Sequence, residues 1–392
     1  LRSAGRVYSR DDMDDADRLR EMAEEAPVID FVNRVFEDAL SRRASDIHIE
    51  PFEDHFQIRF RIDGVLNQVQ NLPRARFDAV ASRIKLLSNM DIAERRLPQD
   101  GRQSVRFAGQ DIDLRVSSLP GAWGESLVLR LLRKQQELPS LEGLGLQGHA
   151  MKVFRELISE SNGVVLVTGP TGSGKSTTLY RGLELVNDGE QKIITIEDPV
   201  EYDMAGITQV QARSEIGYTF AKGLRAILRQ DPDVIMIGEI RDGETGAIAI
   251  QSALTGHLVF STLHTNSSLS AIERLVDLGV EPFLVASALR GLIGQRLVRK
   301  LCAHCAEPAA AGDAVLGEQL LQEARQDGAL GLPQTAQWCS AKGCARCGGQ
   351  GYQGRLGVYE AARITPELRS AINKRANETE LLRLARKDGF LT

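Results

Sequence analysis

Residues 167–180 have the sequence VTGPTGSGKSTTLY, which contains the full pattern G-x-x-x-x-G-K-[ST]. An apolar, strand-like run precedes the pattern, and a helical segment follows it. Glycines let the backbone turn its N–H groups onto phosphate oxygens, and the N-terminus of the following helix adds a favourable dipole. The segment therefore predicts a phosphate-binding loop between a strand and a helix, and with it an α/β fold.

The residues of this loop have separate expected roles. We expect Lys175 to reach the β- and γ-phosphates of a nucleotide, Ser176 to bind Mg²⁺, and Thr177 to contact the α-phosphate. A chance match is the alternative, and the flanking strand and helix argue against it. The predicted nucleotide-binding residues are Gly169, Pro170, Thr171, Gly172, Ser173, Gly174, Lys175, Ser176 and Thr177.

Short apolar runs alternate with helical segments around and after the loop. Four of these runs predict buried strands: GVVLVTG, KIITIED, DVIMIGE and HLVFSTLH. Helices are expected after Lys175 and near Thr219, Glu244 and Ser268. This alternation is typical of a parallel sheet covered by helices. We therefore predict a nucleotide-binding core of the RecA-like type over residues 149–301. The stretch PFLVASALRGLIGQRLVRKLC at its end is interpreted as helical.

The chain before the loop follows a different pattern. Residues 1–26 are charge-dense and predict a solvated linker or a frayed helix. In 27–133 a helical segment, VIDFVNRVFEDALSRR, precedes alternating segments such as SDIHIE, FQIRFRIDG and QDIDLRVSSLP, which predict a small α+β domain. Residues 134–148 are rich in glycine and are the expected hinge.

Hydrolysis of a bound nucleotide needs a group that orients water and groups that stabilise charge on the γ-phosphate. Glu239 ends DVIMIGE, with Gly238 where the usual aspartate would stand, and Glu197 ends KIITIED. His264 ends HLVFSTLH and is a candidate sensor of nucleotide state. We predict that these three side chains act with Lys175 in catalysis. Helix caps or arginine pairs are the alternative for the carboxylates, and a structural hydrogen bond is the alternative for the histidine.

All five cysteines lie in one late segment. LCAHC and GCARC each supply a C-x-x-C pair, and four thiolates close a tetrahedral Zn²⁺ site. Reduced thiols without metal are the alternative, and Cys339 and His304 are not expected to be ligands. An arm over 302–350, with a helix at GDAVLGEQLLQEARQ, and a helical region over 351–392 complete the predicted organisation. The predicted zinc ligands are Cys302, Cys305, Cys344 and Cys347.

Composition disfavours several classes of protein. A formal charge of −5 and a pI near 5.8 argue against bulk attraction to nucleic acid. No apolar run approaches the roughly 18 residues of a membrane helix. Cysteines clustered in an otherwise cysteine-free chain fit a reducing compartment. The start at Leu1 instead of methionine indicates a fragment or a processed chain.

Four blocks of the sequence resemble the secretion NTPase superfamily. They occur in the order GPTGSGKS, ITIEDPVEY, MIGEIRD and TGHLVFSTLHTN. ASDIHIEP, IRFRIDG and RLPQDGR are similar to the N-terminal, PAS-like domain of that family. The resemblance implies a cytoplasmic hexameric ATPase, using ATP and Mg²⁺, whose ring motions drive a membrane-anchored filament. It also implies that cationic residues of the N-terminal domain close on the nucleotide. Arg59, Arg61 and Arg102 are the candidates, and solvated arginines on a surface strand are the alternative.

The cysteine segment narrows the resemblance to one branch. Its two knuckles, with QRLVRKLCAHC and GCARCGGQGYQGRLGVYE, look most like type II secretion ATPases. ATPases that assemble type IV pili stay open as the alternative. This branch implies peripheral attachment to the inner membrane through a secretion platform and a membrane-anchored cytoplasmic adaptor.

Two rivals come from other classes of protein. A nucleic-acid translocase is disfavoured by the acidic charge balance and by the lack of an aromatic-basic tract. An adaptor built on zinc, without nucleotide turnover, is separated from a motor by an ATPase assay with Mg²⁺. No nucleic-acid partner is therefore expected.

Overall fold

The computed structural model describes residues 10–107, 110–133, 138–326 and 334–391. The chain divides into two compact units, 1–136 and 137–392. The division falls inside the predicted hinge, 134–148, of which 134–137 lie outside the described ranges.

The N-terminal unit contains a six-stranded antiparallel sheet in the order β3-β2-β1-β6-β5-β4. One face of the sheet packs with α2 and α3 into a single apolar core, so apolar and polar residues alternate along each strand. Its elements are α1 Arg10–Glu24, α2 Ala26–Ser41, β1 Asp46–Pro51, β2 His55–Ile62, β3 Val65–Pro73, α3 Phe77–Leu87, β4 Gln99–Phe107, β5 Gln110–Gly121 and β6 Gly124–Arg133.

Two alternatives were predicted for residues 1–26, a solvated linker and a frayed helix. The described part of that segment, from Arg10 to Glu24, is helical and contacts α2 and α3. Leu19 and Ala23 lie one turn apart, and both are buried. A single buried stripe on a charge-rich helix leaves little trace in the composition of the segment, so composition alone did not separate a packed helix from a linker.

The C-terminal unit contains a seven-stranded sheet in the order β15-β12-β7-β11-β10-β8-β9. All neighbouring strands are parallel except β12 and β15, which are antiparallel. The elements are α4 Leu141–Leu144, α5 Gly148–Ile158, β7 Gly163–Thr168, α6 Lys175–Val186, β8 Ile193–Glu197, β9 Thr208–Gln211, α7 Phe220–Ile227, β10 Val234–Ile237, α8 Gly243–Leu254, β11 Leu258–Leu263, α9 Ser270–Asp277, α10 Pro282–Ala288, β12 Leu289–Leu301, β13 Glu307–Pro308, α11 Ala311–Gln326, β14 Cys339–Ser340, β15 Tyr352–Arg363, α12 Pro366–Asn373 and α13 Glu378–Arg386.

The central strands of this unit are buried on both faces. In β7, Val164 and Leu166 face one apolar core, and Val165 and Val167 face another. Helices cover both faces of such a sheet, so its strands appear as continuous apolar runs rather than as alternating ones. The four runs identified in the sequence are strands β7, β8, β10 and β11, which confirms those predictions.

Strands β12 and β15 correct two predictions. The stretch PFLVASALRGLIGQRLVRKLC is helical only over Pro282–Ala288 and continues as β12, and the region 351–392 begins with β15. Short apolar runs do not separate a buried helix from a buried strand by periodicity, and here pairing with β7 decides. Gly291 also lets β12 pass close to α5, since a Cβ at that position would lie 2.4 Å from the Leu157 side chain.

The described residues include no helix that is both long enough and apolar enough to cross a membrane. The helix expected between the two cysteine pairs is α11, Ala311–Gln326. Trp338, which directly precedes β14 of the two-stranded β13–β14 sheet, packs against this helix. Its ring lies so close to Gly317 that any Cβ there would clash with it.

Candidate nucleotide site

The phosphate loop follows β7, which lies between β11 and β12 near the middle of the sheet. Because β7, β8, β10 and β11 run parallel, the residues after each of them lie at one edge, called here the carboxyl edge. Glu197 ends β8, Glu239 lies two residues after the end of β10, and His264 directly follows β11. The fold therefore brings three sequence-predicted residues to the edge that carries the loop.

The loop needs its glycines for conformation and for space. Gly169, Gly172 and Gly174 have φ angles of 144°, 76° and 83°, which side chains disfavour. A Cβ at Gly169 would lie 2.2 Å from the backbone oxygen of Gln295 on β12. The loop is thus held tightly against β12, while Gly172 faces open space.

Lys175 lies over the loop it belongs to. Its ammonium donates to the carbonyl oxygens of Gly169 and Pro170, each at 2.9 Å. Burial lowers the pKa of Lys175, and the negative charge of Glu239 partly opposes that shift. Within the described residues, the buried hydroxyl of Ser173 has no hydrogen-bond partner. An ammonium poised at the loop and an orphaned hydroxyl are what a polyphosphate would satisfy.

Glu239 connects the loop to the other candidates. One carboxylate oxygen lies 3.3 Å from Nε2 of His264, and the other accepts a hydrogen bond of 2.5 Å from Arg241. About a fifth of the Glu239 side chain is exposed (21%). Lys175, Glu239 and His264 therefore form one electrostatically linked group with an opening to solvent.

Glu197 is enclosed instead. It is only 3% exposed and accepts hydrogen bonds from three side chains: Tyr180, Thr195 at 2.5 Å and Gln209 at 3.2 Å. Burial and the adjacent Glu197 raise the pKa of Tyr180. The Glu197 carboxylate thus ties β8 to α6 and β9, and three donors already occupy most of its acceptor positions.

Arg241 is a member of this site that the sequence analysis did not select. Besides Glu239, it approaches Asp198 at 3.6 Å and lies over the ring of Phe220 at 5.5 Å. The hydrogen bond to Glu239 raises the pKa of Arg241. Its position two residues after Glu239, in MIGEIRD, was the available signal. Its guanidinium fixes the orientation of the Glu239 carboxylate.

Ser261 and Thr262, near the end of β11, are buried. Their hydroxyls donate to the carbonyl oxygens of Ile237 at 2.8 Å and Gly238 at 2.7 Å. These bonds tie β11 to the end of β10. They therefore hold the segment that carries Glu239 in place.

The N-terminal unit carries arginines on the face of its sheet opposite the core. Five residues on five adjacent strands are successive cross-strand neighbours and form one row, called here the arginine row: Arg102, Arg115, Arg130, Asp46 and Arg61. Buried Asp46 pairs with Arg130 at 3.0 Å and with Arg61 at 4.0 Å. Arg102, Arg115 and Arg130 are direct neighbours in this row, and like charges opposite each other are unfavourable in a sheet.

The candidates Arg59 and Arg61 differ in their surroundings. Arg59 lies outside the row and forms a two-bond pair with Glu50, both bonds at 2.7 Å. Sequence reasoning missed Arg115 and Arg130, although both occupy outward positions of alternating segments. Their adjacency depends on strand register, which single segments do not reveal.

The four cysteines of the two knuckles meet in space. All four Sγ atoms lie within 4.8 Å of one another, and three pairs are separated by 3.9, 3.8 and 3.8 Å. Four sulfurs around Zn²⁺ with bonds of about 2.3 Å have edges of roughly 3.8 Å. Backbone N–H groups of Cys344 and Gly351 donate to the Cys347 sulfur, each at 3.1 Å, as they would to a thiolate.

Cys339 and His304 lie apart from this cluster. Cys339 is exposed on β14, and an imidazole nitrogen of His304 lies 2.7 Å from the Arg346 guanidinium. The donor set therefore consists of four sulfurs, which fits a closed structural site for zinc and leaves no open position for substrate.

A family model described as "Type II/IV secretion system protein" matches residues 21–392. The chain belongs to this family. The match confirms the resemblance drawn from the four sequence blocks, and it extends over both units.

Relatives of known name support the same placement within the type II/IV secretion family. The type II secretion system protein E of Klebsiella pneumoniae is 48% identical over 374 residues, which cover 95% of this chain and 73% of that protein. The type II secretion system ATPase E of Vibrio cholerae is 48% identical over 360 residues, which cover 92% of this chain and 70% of that protein.

Solved structures confirm the α/β fold of secretion ATPases. The pilus retraction motor PilT with bound ADP is 28% identical, with a TM-score of 0.55, over 92% of this chain and 94% of that one. The ATPase DotB of Legionella pneumophila has a TM-score of 0.63 over 91% of this chain and 86% of that one. Its 23% identity supports the shared fold alone.

Proposed function

We propose that this chain is the ATP-hydrolysing motor subunit of a type II secretion system, driving pseudopilus assembly and protein export. The observation that carries the proposal is the linked group of Lys175, Glu239 and His264 beside a complete phosphate loop. Relatives named type II secretion system protein E or ATPase E, at 48% identity, favour this role over assembly of type IV pili.

The residues of the site divide the work of hydrolysis. ATP supplies the phosphoanhydride bond that is broken. Lys175 exchanges its loop carbonyls for phosphate oxygens, and the Ser176 hydroxyl would hold Mg²⁺, which would offset charge on the phosphates. Glu239 orients water and accepts its proton, because its carboxylate is partly exposed, whereas that of Glu197 is enclosed by donors. His264 and Arg241 keep Glu239 in position and sense the presence of the γ-phosphate.

The arginine row is proposed to complete the site when subunits assemble into a ring, which we take to be a hexamer. Charge that spreads over the γ-phosphate is stabilised by a guanidinium that arrives on closure. The row offers Arg102, Arg115, Arg130 and Arg61 for this role, while Arg59 is already neutralised by Glu50. Hydrolysis would then loosen the hold on the N-terminal unit and let it rotate.

The proposed location is the cytoplasmic side of the inner membrane, with peripheral attachment. The proposed partners are the secretion platform, its membrane-anchored cytoplasmic adaptor and further copies of this chain. No nucleic-acid partner is proposed, in keeping with the acidic pI near 5.8.

Replacement of Lys175 tests the motor assignment. We expect Lys175→Ala to lower Mg²⁺-dependent ATP hydrolysis by about a hundredfold or more, because a cation that binds the transferred phosphoryl group is lost. Lys222→Ala, an exposed lysine on α7, is the matched control and should keep the parental rate. Parental hydrolysis by Lys175→Ala would refute the site, and stimulation of the parent by single-stranded DNA would favour a translocase.

The cysteine cluster is proposed to bind one structural Zn²⁺. We expect Cys347→Ser to abolish stoichiometric zinc, measured by elemental analysis, and to expose the arm over 302–350 to limited proteolysis. Cys339→Ser removes an exposed thiol outside the cluster and should retain the metal. Equal zinc content in the two variants would contradict this assignment.

A further inference from the structure

Gln295 on β12 lies against the phosphate loop, although it is distant from the loop in sequence. It is 3% exposed, and its backbone oxygen would touch a Cβ at Gly169. Its side-chain nitrogen would lie 2.9 Å from a Cβ at Gly174. Gln295 therefore packs against both ends of the loop.

Thr178 joins Gln295 to the helix that starts at the loop. This residue of α6 is fully buried, and its hydroxyl donates to Oε1 of Gln295 at 2.8 Å. The same hydroxyl lies 3.2 Å from the phenol oxygen of Tyr359, which is the cross-strand neighbour of Gln295. A buried polar group thus connects α6, β12 and β15.

Tyr359 extends these contacts to segment 141–146, which lies within the predicted hinge, 134–148. Its hydroxyl donates to the carbonyl oxygen of Leu144, the last residue of α4, at 3.3 Å. The backbones also meet here, since a Cβ at Gly145 would lie 2.2 Å from the oxygen of Gly357. The segment 141–146 is therefore held against β15, with Leu141 and Leu146 buried.

The protons available to these contacts are too few. The hydroxyls of Thr178 and Tyr359 supply one proton each, and three contacts compete for them: those to Gln295, between the two hydroxyls, and to Leu144. One contact is without a proton at any moment. A small shift of α6 therefore changes which of the three contacts receives a proton. Because these groups are buried, leaving a contact without a proton costs free energy.

We propose that Thr178, Gln295 and Tyr359 form a hydrogen-bonded link that positions the phosphate loop and transmits its occupancy to segment 141–146. The link rests on the proposed function, because it needs a nucleotide at the loop. Binding at the loop shifts the start of α6, redirects the two hydroxyl protons, and changes the hold on Leu144. Gln295 and Thr178 are positioning residues and do not contact substrate.

Thr178→Val and Thr178→Ser test the part of the link at the loop. Valine keeps the shape and removes the hydroxyl, and we expect about tenfold weaker binding of ADP, since Gln295 loses a buried donor. Serine keeps the hydroxyl and should bind ADP within about twofold of the parent. Calorimetric titration with ADP and Mg²⁺ measures both, and circular dichroism confirms folding. Equal affinities for the valine and serine variants would overturn the positioning role.

Tyr359→Phe tests the part of the link at the hinge side. We expect the parent to change its amide hydrogen exchange in 141–146 on addition of ADP, and Tyr359→Phe to lose that response while still binding ADP. Tyr352→Phe, on the same strand, is the matched control and should respond like the parent. The same response in Tyr359→Phe as in the parent, or no response in the parent, would overturn the link. A parent that bound no nucleotide would instead refute the proposed function as well.

Discussion

The carboxyl edge of the C-terminal sheet and the outer face of the N-terminal sheet handle charge in opposite ways. At the carboxyl edge, Arg241 binds Glu239 at 2.5 Å and approaches Asp198 at 3.6 Å, and the charge of Glu239 also acts on Lys175. On the outer face, the arginine row sets four guanidinium groups against Asp46. The first region sets two cations against two carboxylates, whereas the row itself contains four arginines and one carboxylate.

The proposed function assigns these two regions different roles in one reaction. A balanced, partly buried cluster is preorganised, because its groups are held in place before the substrate arrives. A surplus of arginine on a sheet costs stability, and an anionic partner offsets that cost. We therefore expect the carboxyl edge to perform the chemistry and the arginine row to depend on what is brought to it.

The largest expected effect comes from removing the proposed base at the carboxyl edge. Glu239→Gln should lower kcat for ATP hydrolysis by about a hundredfold to ten-thousandfold, the usual contribution of general-base catalysis. Binding of ADP should persist, because Lys175 and the loop remain. Steady-state kinetics with parallel ADP titration measures the two separately.

Two further variants sharpen this result. Glu244→Gln, an exposed residue of α8 that pairs with Arg225, should leave kcat unchanged. Glu197→Gln should mainly lower the melting temperature, since its donors Tyr180 and Thr195 lose a buried carboxylate. A greater loss of kcat in Glu197→Gln than in Glu239→Gln, with both variants folded, would reverse the assignment of the two glutamates.

A smaller effect is expected from the arginine row. Arg130→Gln should lower kcat at least about tenfold under conditions where the ring is assembled, because the γ-phosphate charge loses a guanidinium. The same variant should change the activity of isolated subunits little, which analytical ultracentrifugation combined with ATPase assays can establish. The comparison of the two regions predicts this dependence on assembly for the row and not for Glu239.

Arg106→Gln is the matched control for the row. Arg106 lies on β4 of the same sheet, is largely exposed, and pairs with Asp111 at 3.8 Å outside the row. Its replacement should leave the activity of the assembled protein intact. Equal losses in both variants would show that bulk positive charge, and not position in the row, matters.

The features that could be predicted from the sequence are those written in contiguous residues. The phosphate loop, the four central strands and the pairs of cysteines each occupy a short segment whose spacing determines its geometry. Glu239 and His264 were found because strand ends in parallel sheets share an edge. Clustering of the four cysteine sulfurs confirms that part of the zinc prediction, while the metal itself stays a proposal.

The features that escaped prediction depend on partners distant in the chain. Strands β12 and β15 are apolar segments whose conformation is set by pairing with β7 and with each other. The arginine row exists only once the register of five strands is known. Gln295 gains its role from contacts across the sheet, so its own segment carries little signal. Arg241 differs, because its position two residues after Glu239 was visible in the sequence.

The smallest expected effect concerns the stability of the carboxyl edge at alkaline pH. The pKa of Tyr180 is raised by burial and by Glu197, so its protonated form stabilises the fold fully below the unfolded tyrosine pKa of about 10. That contribution is lost as pH rises above this value toward the folded pKa.

Tyr180→Phe should cost about 1–3 kcal/mol at pH 8, because Glu197 loses a buried donor, and should flatten the decline of stability between about pH 9 and 11. Urea unfolding across this range measures both. Tyr218→Phe serves as control, because Tyr218 is only partly buried, and the side-chain donors to Glu197 are Tyr180, Thr195 and Gln209. A parallel decline in the parent and in Tyr180→Phe would mean that the enclosed carboxylate does not depend on this phenol. The contrast between a self-balanced edge and an unbalanced row would then rest on Glu239 and Arg241 alone.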